Sequence, residues 1–407
     1  MERNMSENNL KICAVICEYN PFHNGHLHQI REIKRLSGCE FLLCVMSGNF
    51  VQRGEAAILD KHTRAVHAIK AGADCVIELP LPFAVANAEK FALGAVKILS
   101  SIPAVKTLAF GCECGHAHSF LSLARILSEE SAPFKAVLKE ELDTGVSFAK
   151  ARYNALKKTC PEVDERLYYS PNNVLGLEYT KAILKLHANI DILPLRRVGA
   201  GYTDGEMKEN YSSASAIRAA LLKKTEKTTV QNNLPDFVFD DLPLFLTREG
   251  YKKLDAVERY ALTVKKAEEI ALTPDCSEGL ENRLKSLAKE NFTAEEMITT
   301  ATSKRYTSAR IRRILLANAL QITVAHTDRL LLENAYCNVL ALNAFNADVV
   351  LSLLKESPLP LLVRKGDEKA LQGEKKTCYD ISVQADELYA ALCERKLNPF
   401  AARFVKD

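Results

Sequence analysis

The stretch that decides the fold is KICAVICEYNPFHNGHLHQI, residues 11–30. Its first part, residues 11–19, is mostly apolar and rich in Val and Ile, which predicts a buried strand, and Asn-Pro at 20–21 ends that strand. Residues 26–36 then repeat apolar side chains at helical spacing, so His23-Asn24-Gly25-His26 opens a helix directly after the turn. The free backbone N–H groups at such a helix N-terminus suit a phosphate group.

Strands and helices continue to alternate after this first unit. Further strands are predicted at 41–47, 74–80, 107–112 and 190–197, with helices at 61–72, 87–100 and within 116–187. This alternation predicts an α/β fold, a Rossmann-like domain whose parallel sheet is covered by helices on both faces. Because ligands of such sheets bind at the carboxyl ends of the strands, polar residues that directly follow strands are candidate site residues.

The character of the chain changes near residue 230. Residues 231–245, QNNLPDFVFDDLPLF, are rich in Pro, Asp and Asn and predict a linker. After the linker, apolar residues recur mostly at helical spacing over 254–323. The remaining elements are two strand-like pieces and a final helix, at 337–343, 358–364 and 382–395. We therefore predict a nucleotide-binding domain at 1–230 and a mainly α-helical domain at 231–407.

Composition excludes several classes of protein. The chain has 407 residues, 47% hydrophobic and 26% charged, which is typical of globular domains and excludes a disordered chain, a collagen and a coiled-coil rod. No apolar run is long enough to predict a membrane span, and MERNMSENNL does not resemble a secretory signal. Several of the 12 cysteines lie inside apolar runs, as in a protein of the reducing cytoplasm. The net charge of +3 neither requires nor excludes a nucleic-acid partner.

The two histidines after the turn are the first candidate catalytic residues. His23 and His26 are three residues apart, so both imidazoles can project to one side of the helix and donate hydrogen bonds to charge that develops on a phosphate. Gly25 between them has no Cβ, which lets a phosphate approach the backbone closely. The alternatives are ordinary surface histidines or a zinc site with Glu18 or His28 as the third ligand.

A second stretch has the composition of a metal site but not its geometry. GCECGHAH, residues 111–118, contains Cys112, Cys114, His116 and His118. Their alternate spacing would place the side chains on one face only while an extended strand lasts. We therefore assign no metal to them.

A second phosphate-binding segment is predicted at YSSASAIRAAL, residues 211–221. Ser212 or Ser213 can form the N-cap of a helix there, and Arg218 follows within two turns. Hydroxyl groups, free N–H groups and a guanidinium together suit the β- and γ-phosphates of a nucleotide and a leaving pyrophosphate. Without the first motif, an ordinary capped helix with a solvated Arg would explain the segment equally well.

These motifs resemble a known family. HNGH after a first strand looks like the HxGH motif of the nucleotidyltransferase superfamily, and residues 211–218 are similar to its SSTxIR-type signature. The longer strings EYNPFHNGH (18–26) and VMSGNFVQRGE (45–55) resemble the bacterial tRNA(Met) cytidine acetate ligases. That family activates acetate with ATP and acetylates N4 of the wobble cytidine, C34, of elongator tRNA(Met).

The resemblance implies a set of site residues. The catalytic residues would be His23, His26, Ser213 and Arg218, with Mg²⁺ on the ATP phosphates. The implied ATP-binding residues are Ile16, Cys17, Glu18, Tyr19, Asn20, Pro21, Phe22, His23, Asn24, Gly25, His26, Leu27, His28, Gln29, Gly111, Asn172, Arg196 and Arg197. Structural alternatives exist for three of these: Gly111 could serve a tight turn, Asn172 could cap the helix after Pro171, and one Arg could be a surface charge.

A basic segment in the second half is a candidate RNA-binding surface. TSKRYTSARIRR, residues 302–313, has five cations, one tyrosine and no acidic residue. The candidate residues are Lys304, Arg305, Tyr306, Arg310, Arg312 and Arg313, which Lys223, Lys224 and Lys227 could extend. Cations would contact phosphates and the ring would stack on a base. A solvated basic helix face explains the pattern equally well, and a similar KRYTxxRI string in the acetate ligases favours tRNA binding.

The function predicted from the resemblance is an ATP-dependent acetate ligase that forms acetyl-adenylate and acetylates tRNA. Two alternatives belong to other classes: a small-molecule nucleotidyltransferase that forms a dinucleotide-like cofactor, and a non-enzymatic RNA-binding protein with a relic nucleotide site. The residues by themselves identify neither the acid nor the tRNA, and they leave the oligomeric state open.

Overall fold

A computed structural model of the chain describes residues 10–146, 148–161, 163–197, 207, 211–223, 228–398, 400 and 402–406. The strands are β1 (Ile12–Cys17), β2 (Phe41–Ser47), β3 (Phe50–Val51), β4 (Glu55–Ala56), β5 (Cys75–Leu79), β6 (Val105–Cys112), β7 (Asp191–Arg196), β8 (Cys337–Asn343), β9 (Leu361–Leu362) and β10 (Arg403–Val405).

Helices cover the sheet and build most of the second half. They are α1 (Asn24–Leu36), α2 (Lys61–Lys70), α3 (Leu81–Ala84), α4 (Ala88–Ser100), α5 (Ala117–Glu129), α6 (Ala132–Asp143), α7 (Phe148–Thr159), α8 (Arg166–Tyr169), α9 (Pro171–Lys185), α10 (Ala214–Leu222), α11 (Thr228–Gln231), α12 (Asp236–Phe239), α13 (Arg248–Val264), α14 (Ala267–Ile270), α15 (Leu280–Lys289), α16 (Ala294–Ala301), α17 (Ser308–Ala319), α18 (Val324–Glu333), α19 (Ala347–Lys355) and α20 (Gly373–Cys393). Short 3₁₀ helices lie at Leu242–Leu244 and Asp367–Ala370. Within the described ranges, no helix combines the length and apolar character that a membrane crossing needs.

The main sheet has the order β10-β8-β5-β2-β1-β6-β7, with β9 also paired to β8. The pairs from β5 across to β7 are parallel, as the alternation of strands and helices predicts. The five predicted strands of this part agree with the observed bounds to within two residues at each end. The α/β prediction is therefore confirmed.

Alternating residues of β1 enter two different cores. Ile12, Ala14 and Ile16 belong to a buried cluster beneath α4 and α9. Cys13 and Val15 belong to a second cluster beneath α1 and α2. Because side chains of a strand alternate between faces, one apolar run supplies both cores. The carboxyl end of β1 is thus held in the middle of the sheet between two packed layers.

The sheet continues into the second half of the sequence. β8 pairs antiparallel with β5, placing Leu342 opposite Cys75, and β10 pairs parallel with β8. A domain boundary at residue 230 remains a prediction, but the sheet is built from both sides of it. The antiparallel pairing was not predicted, because no local pattern shows which edge a distant strand will join.

The linker predicted at 231–245 is wrong. This segment forms short helices, and Val230, Leu234, Val238 and Leu242 are buried in the core beneath α1 and α2. Val230, Val238 and Leu242 lie in three successive short helices and Leu234 lies between the first two, and all four side chains enter the same core. Its Pro, Asp and Asn residues suggested a linker, but these apolar side chains determine the structure.

A buried ion cluster joins the last long helix to the sheet. The Lys61 ammonium at the start of α2 is 2.8 Å from a Glu78 carboxylate oxygen on β5 and 2.6 Å from Asp386 on α20. All three side chains are nearly inaccessible to solvent. Burial and the neighbouring carboxylate of Glu78 raise the pKa of Asp386 to about 6, although Lys61 opposes the shift. Removing one partner of such a cluster leaves a buried charge uncompensated.

Candidate active site

The turn after β1 is anchored from below by a buried arginine. Arg64 on α2 is fully buried, and its guanidinium donates to the backbone carbonyls of Glu18, Ser47 and Leu59. The carbonyls of Glu18 and Ser47 lie at the carboxyl ends of β1 and β2, and that of Leu59 lies just before α2, so one side chain satisfies backbone acceptors of both strand ends. The turn itself contains a cis peptide bond between Asn20 and Pro21.

His23 is the N-cap of α1, and its ring nitrogen Nδ1 accepts a hydrogen bond from the Gly25 N–H at 3.0 Å. The ring hydrogen of the neutral imidazole is therefore on Nε2, which is left to donate to a ligand. The His23 and His26 rings are stacked, with centroids 3.7 Å apart and an interplanar angle of 26°. The two predicted catalytic histidines thus form one unit at the helix N-terminus.

Gly25 is required by His23. A Cβ at residue 25 would lie 2.8 Å from Cε1 of the His23 ring. That is closer than real Cβ contacts, so the ring could not keep its hydrogen bond to the Gly25 N–H. The prediction that Gly25 admits a phosphate is untested; what the structure shows is that it admits the imidazole.

Burial keeps both imidazoles neutral. Desolvation, with a smaller contribution from the Arg197 charge, lowers the pKa of His23 to about 3. Desolvation, His23 and Arg197 lower the pKa of His26 well below its usual value. The His26 Nδ1 atom is buried without a hydrogen-bond partner among the described residues. Neutral imidazoles can donate N–H groups to a phosphate, but they are weak acceptors of a proton at neutral pH.

Two adjoining cavities open at this end of the sheet. The first has a volume of about 170 Å³ and the second about 350 Å³. Their shared walls are formed by His23, His26, Gln29, Gly111 and Arg197. The histidine pair therefore lies at the junction of the two cavities.

Arg218 reaches the first cavity from α10. Its guanidinium donates to the backbone carbonyl of Asn20 at 2.7 Å and lies 3.3 Å from the Glu55 carboxylate. Ser213 caps α10, because its hydroxyl accepts from the Ala216 N–H at 3.1 Å. Both lie in the cavity lining, so the structure brings the two predicted phosphate segments together.

Asn232 and Asn233, in the stretch predicted as a linker, connect the start of α1 to the segment before α10. The backbone N–H of Asn24 donates to the Asn233 carbonyl at 3.0 Å, and the Asn24 side-chain amide donates to the Asn232 carbonyl at 2.8 Å. Asn233 in turn accepts from the Ser212 N–H at 2.6 Å. Sequence reasoning missed this link, since the contacts span about 200 residues of chain.

The β3–β4 hairpin supplies residues that the prediction did not assign. Gln52, Arg53 and Glu55 line the first cavity. The Gln52 backbone N–H donates to the Glu18 carboxylate at 2.9 Å, and its side chain donates to the Ala86 carbonyl at 3.1 Å. The signal was present, because QRGE at 52–55 is a polar stretch shortly after the second predicted strand, which ends at 47.

The ends of β6 and β7 complete the walls. Asn172 donates from its side-chain amide to Glu113 at 2.6 Å, and Glu113 also accepts from the first backbone N–H groups of α9. Glu113 rather than Asn172 therefore caps that helix. A Cβ on Gly111 would lie 3.4 Å from the Arg197 side chain, a tight but ordinary contact. Arg197 lines both cavities, whereas Arg196 is exposed and lines only the second.

Most of the predicted site residues lie at these cavities. The first cavity is lined by Ile16, Cys17, Glu18, Tyr19, Asn20, His23, His26, Gln29, Gly111, Asn172, Arg197, Ser213 and Arg218. The second adds Gly25, His28 and Arg196. Pro21, Phe22, Asn24 and Leu27 line neither; Phe22 is fully buried, and Asn24 is used in the link described above. The ligand contacts of all these residues remain predictions.

The alternative metal sites are not assembled. Across the described residues, no three His, Cys, Asp or Glu side chains are grouped so that they could hold a metal ion. In the stretch 111–118, Cys114 instead accepts from the Asn173 amide at 3.1 Å.

The basic segment is largely paired within the protein. Arg305 is 2.6 Å from Glu278, which also accepts from the Tyr306 hydroxyl at 2.9 Å. Arg310 donates to the Asp275 carbonyl at 2.7 Å, and its guanidinium carbon lies 4.9 Å from the centroid of the Tyr306 ring. The acidic partners come from another part of the sequence, so the absence of acids within 302–313 did not predict a free positive surface.

The rest of this segment supports the hairpin. Arg312 pairs with Glu295 at 2.8 Å, and Arg313 pairs with Asp275 at 3.1 Å. Gly54 of the hairpin packs against the backbone between Arg312 and Arg313, where a Cβ would lie 2.5 Å from backbone atoms. α17 thus positions the hairpin that lines the first cavity.

One cation of the segment stands apart from these pairs. Lys304 is exposed, and no ion pair holds it within the part of the chain that the structure describes. Lys223 is described as well, whereas Lys224 and Lys227 lie outside the described residues. RNA binding by this segment remains a prediction.

Comparison with known proteins defines the class first. A family model described as HIGH Nucleotidyl Transferase matches residues 10–402. Two curated relatives share the name tRNA(Met) cytidine acetate ligase. The protein from Acetivibrio thermocellus is 36% identical over 93% of this chain and 94% of its own, and that from Clostridium acetobutylicum is 37% identical over 87% and 90%. The chain belongs to the family of tRNA(Met) cytidine acetate ligases, which confirms the resemblance drawn from its motifs.

Solved structures agree with this assignment. The apo crystal structure of Thermotoga maritima TmcAL superposes with a TM-score of 0.90 at 28% identity, covering 98% of this chain and all of that one. A second form of TmcAL, bound with alpha-thio ATP, gives a TM-score of 0.86 and covers 97% of this chain. The nucleotidyltransferase fold is therefore shared over the whole length, including the helices and strands that follow residue 230.

Proposed function

We propose that this protein is a cytoplasmic ATP-dependent ligase that forms acetyl-adenylate and transfers the acetyl group to N4 of C34 of elongator tRNA(Met), giving N4-acetylcytidine. The observation that carries the proposal is the convergence of His23, His26 and Arg218 on one cavity. This arrangement supports phosphoryl chemistry, and the names of the relatives supply the acid and the acceptor.

The two cavities suggest how ATP is placed. We assign the adenosine to the second cavity, beside Gly111 and Arg196, and the α-phosphate to the junction at His23 and His26. The β- and γ-phosphates then extend into the first cavity toward Arg218, which is fixed by Asn20 and Glu55 and so is oriented before ATP arrives.

In the first step an acetate oxygen attacks the α-phosphorus. The new P–O bond forms as the bond to the β-phosphate oxygen breaks, and pyrophosphate leaves. Nε2–H of His23 donates to a phosphoryl oxygen on which charge develops, and burial strengthens that interaction because little water competes with it. Ser213 and Arg218 hold the leaving pyrophosphate at the start of α10.

Mg²⁺ fits this site as an ion carried by the phosphates. The described residues bring together no ligand set of their own for a metal ion, and the Glu55 carboxylate in the first cavity already pairs with Arg218. Phosphate oxygens and water are the usual ligands of Mg²⁺ at nucleotides. When bound, the ion would neutralise part of the charge on the leaving pyrophosphate.

For the tRNA we propose a surface around Lys304 and the edge of α17. Lys304 is exposed, and about 60% of the Arg305 side chain is exposed despite its ion pair with Glu278. Both cations can contact phosphate without leaving their places. Since α17 also supports the hairpin at the first cavity, RNA on this surface would lie beside the reaction centre.

Pyrophosphate exchange into ATP tests the proposed function. With purified protein and Mg²⁺, we expect exchange that depends on acetate, and acetylcytidine in tRNA by mass spectrometry when tRNA is added. Exchange without any acetate dependence, together with an adenylylated small molecule, would instead identify a cofactor-forming nucleotidyltransferase. RNA binding without ATP cleavage under every condition would indicate a relic nucleotide site.

A further inference from the structure

The first cavity contains a carboxylate that phosphate binding does not explain. Its acidic lining residues are Glu18 and Glu55. Glu55 is paired with Arg218, whereas Glu18 has no cationic partner at hydrogen-bond distance within the described part of the chain. A carboxylate repels phosphate, so its presence in a site for a polyanion requires another reason.

One oxygen of Glu18 is used and the other is not. Oε1 accepts from the Gln52 N–H at 2.9 Å, which fixes the carboxylate against the hairpin. Among the described residues no hydrogen bond reaches Oε2, and the side chain lines the cavity. A fixed carboxylate with one open oxygen offers a hydrogen-bond acceptor to whatever enters the cavity.

The surroundings of Glu18 suit the binding of an acyl group and make its carboxylate a suitable proton acceptor. Ile16, two residues earlier on β1, packs in the core with Phe91 and Phe110, and these apolar side chains also line the cavity. Burial raises the pKa of Glu18, while the Gln52 hydrogen bond and the charges of Arg218, Arg53 and Arg64 oppose the shift. The carboxylate is therefore a better proton acceptor than an exposed one.

The second step of the proposed reaction needs such a group, and this inference rests on the proposed function. Acetylation of an amine removes one of its protons as the amide forms. The imidazoles of His23 and His26 are held neutral with strongly lowered pKa values, so they do not readily accept that proton. Within the cavity lining, Glu18 has an acceptor oxygen open to the ligand.

We propose that Glu18 is a catalytic residue that binds the N4 amino group of the acceptor cytidine and accepts its proton. The N4 lone pair attacks the acetyl carbon and the N4–C bond forms. The C–O bond to the phosphate breaks, and its electron pair leaves with AMP. One N4 proton passes to Oε2 of Glu18 and then to solvent.

The same contact between Glu18 and N4 distinguishes one nucleobase from another. A carboxylate accepts hydrogen bonds from the N4 amino group of cytosine. Uracil presents a carbonyl oxygen at that position, and two acceptors facing each other repel. Glu18 therefore recognises a cytidine as well as reacting with it.

The Glu18→Gln variant tests the proposal through the two half-reactions. Its amide oxygen can still accept from the Gln52 N–H, so the hairpin keeps its anchor. Because Glu18 also lines the cavity proposed for the phosphates, acetate-dependent pyrophosphate exchange should change as well, but it should fall far less than acetyl transfer. Single-turnover transfer from acetyl-adenylate to tRNA should fall about 10²–10⁴-fold, the usual contribution of a positioned base.

Two comparison variants separate this role from a structural one. Glu18→Asp retains a carboxylate and should transfer acetyl faster than Glu18→Gln, although the shorter side chain lowers the rate below wild type. Glu55→Gln removes the other carboxylate of the cavity and should slow both half-reactions, because Arg218 loses its partner. Thermal unfolding of each variant shows that it is folded.

Equal loss of exchange and transfer in Glu18→Gln would overturn the proposal, as would full transfer activity. Transfer by Glu18→Asp that is no faster than by Glu18→Gln would overturn it too. Failure of the proposed function gives a different result: wild-type protein would then show no acetate-dependent exchange, with or without tRNA.

Discussion

Gly54 offers a direct test of how the C-terminal half supports the active site. The residue has a φ of +75°, and a Cβ there would lie 2.5 Å from the Arg312 carbonyl carbon and the Arg313 nitrogen. The obstruction is helix backbone, which cannot rotate away as a side chain can. Gly54→Ala therefore forces the hairpin away from α17 as well as straining residue 54 itself.

The two costs can be added. A left-handed conformation costs a residue with a Cβ about 1–2 kcal/mol, and overpacking typically costs about 1–3 kcal/mol. The free energy of unfolding should therefore fall by about 2–5 kcal/mol in Gly54→Ala. The hairpin carries Gln52, Arg53 and Glu55, so its displacement should also lower acetate-dependent exchange about 100-fold, the effect of a misplacement near 1 Å.

Gly38 is the matched control. Its φ of +63° is similar, but apart from its own chain neighbours no atom of the described residues lies within 4 Å of the position of its Cβ. Gly38→Ala should lose only the conformational part, about 1–2 kcal/mol, with exchange unchanged. Urea unfolding and pyrophosphate exchange are measured on both variants. Equal destabilisation and equal exchange in the two would refute the proposed support of the hairpin by α17.

Three further predictions concern the histidine and arginine groups. Gly25→Ala should change the free energy of unfolding by less than about 1 kcal/mol, because loss of the His23 cap offsets the gain in helix propensity. It should nevertheless lower exchange, because its Cβ displaces the His23 ring. Urea unfolding and pyrophosphate exchange measure the two effects, and unchanged exchange contradicts the contact. Arg218→Lys should slow exchange by about 10- to 100-fold, because one ammonium group cannot keep both guanidinium contacts, to the Asn20 carbonyl and to the Glu55 carboxylate. A wild-type rate would show that these two contacts are not needed. The pKa of His23 is lowered to about 3 in the folded protein, so the unfolded chain takes up this proton at a higher pH than the folded one. The free energy of unfolding should therefore fall by about 1.4 kcal/mol per pH unit as the pH drops from about 6.5 toward 3. Urea unfolding at pH 5 and 7.5 should show a smaller loss in His23→Asn, which keeps a capping side chain, and an equal loss would count against the buried neutral imidazole.

The first motif was predictable because its structure is local. A strand, a turn and a helix N-terminus are all encoded within residues 11–36, so the positions of His23 and His26 follow from the pattern itself. The placement of Arg218 on α10 was also local, but its contact with Asn20 was not. That contact joins residues 198 positions apart, and only the resemblance suggested it.

Two features that the local sequence did not show have a common physical cause. Residues 231–245 were assigned by polar composition, whereas buried Leu234, Val238 and Leu242, four residues apart, decide where the segment lies. The sequence of the basic segment also did not show its ion pairs, which are formed with Asp275 and Glu278 between α14 and α15 and with Glu295 on α16. In both segments, residues distant in the sequence determine the structure, and a local sequence pattern does not show which residues these are.

The sheet has a consequence for how the chain is synthesised. β5 is complete once residue 79 has left the ribosome, but β8, which covers its outer edge, follows more than 250 residues later. Until then that edge is open to pairing with other chains, and Lys61 lacks Asp386, one of its two counterions. A fragment that ends near residue 230 would keep the unpaired edge of β5 and would lack the Asp386 counterion of Lys61. The nascent protein is therefore protected from aggregation at this edge only when its C-terminal part has been synthesised.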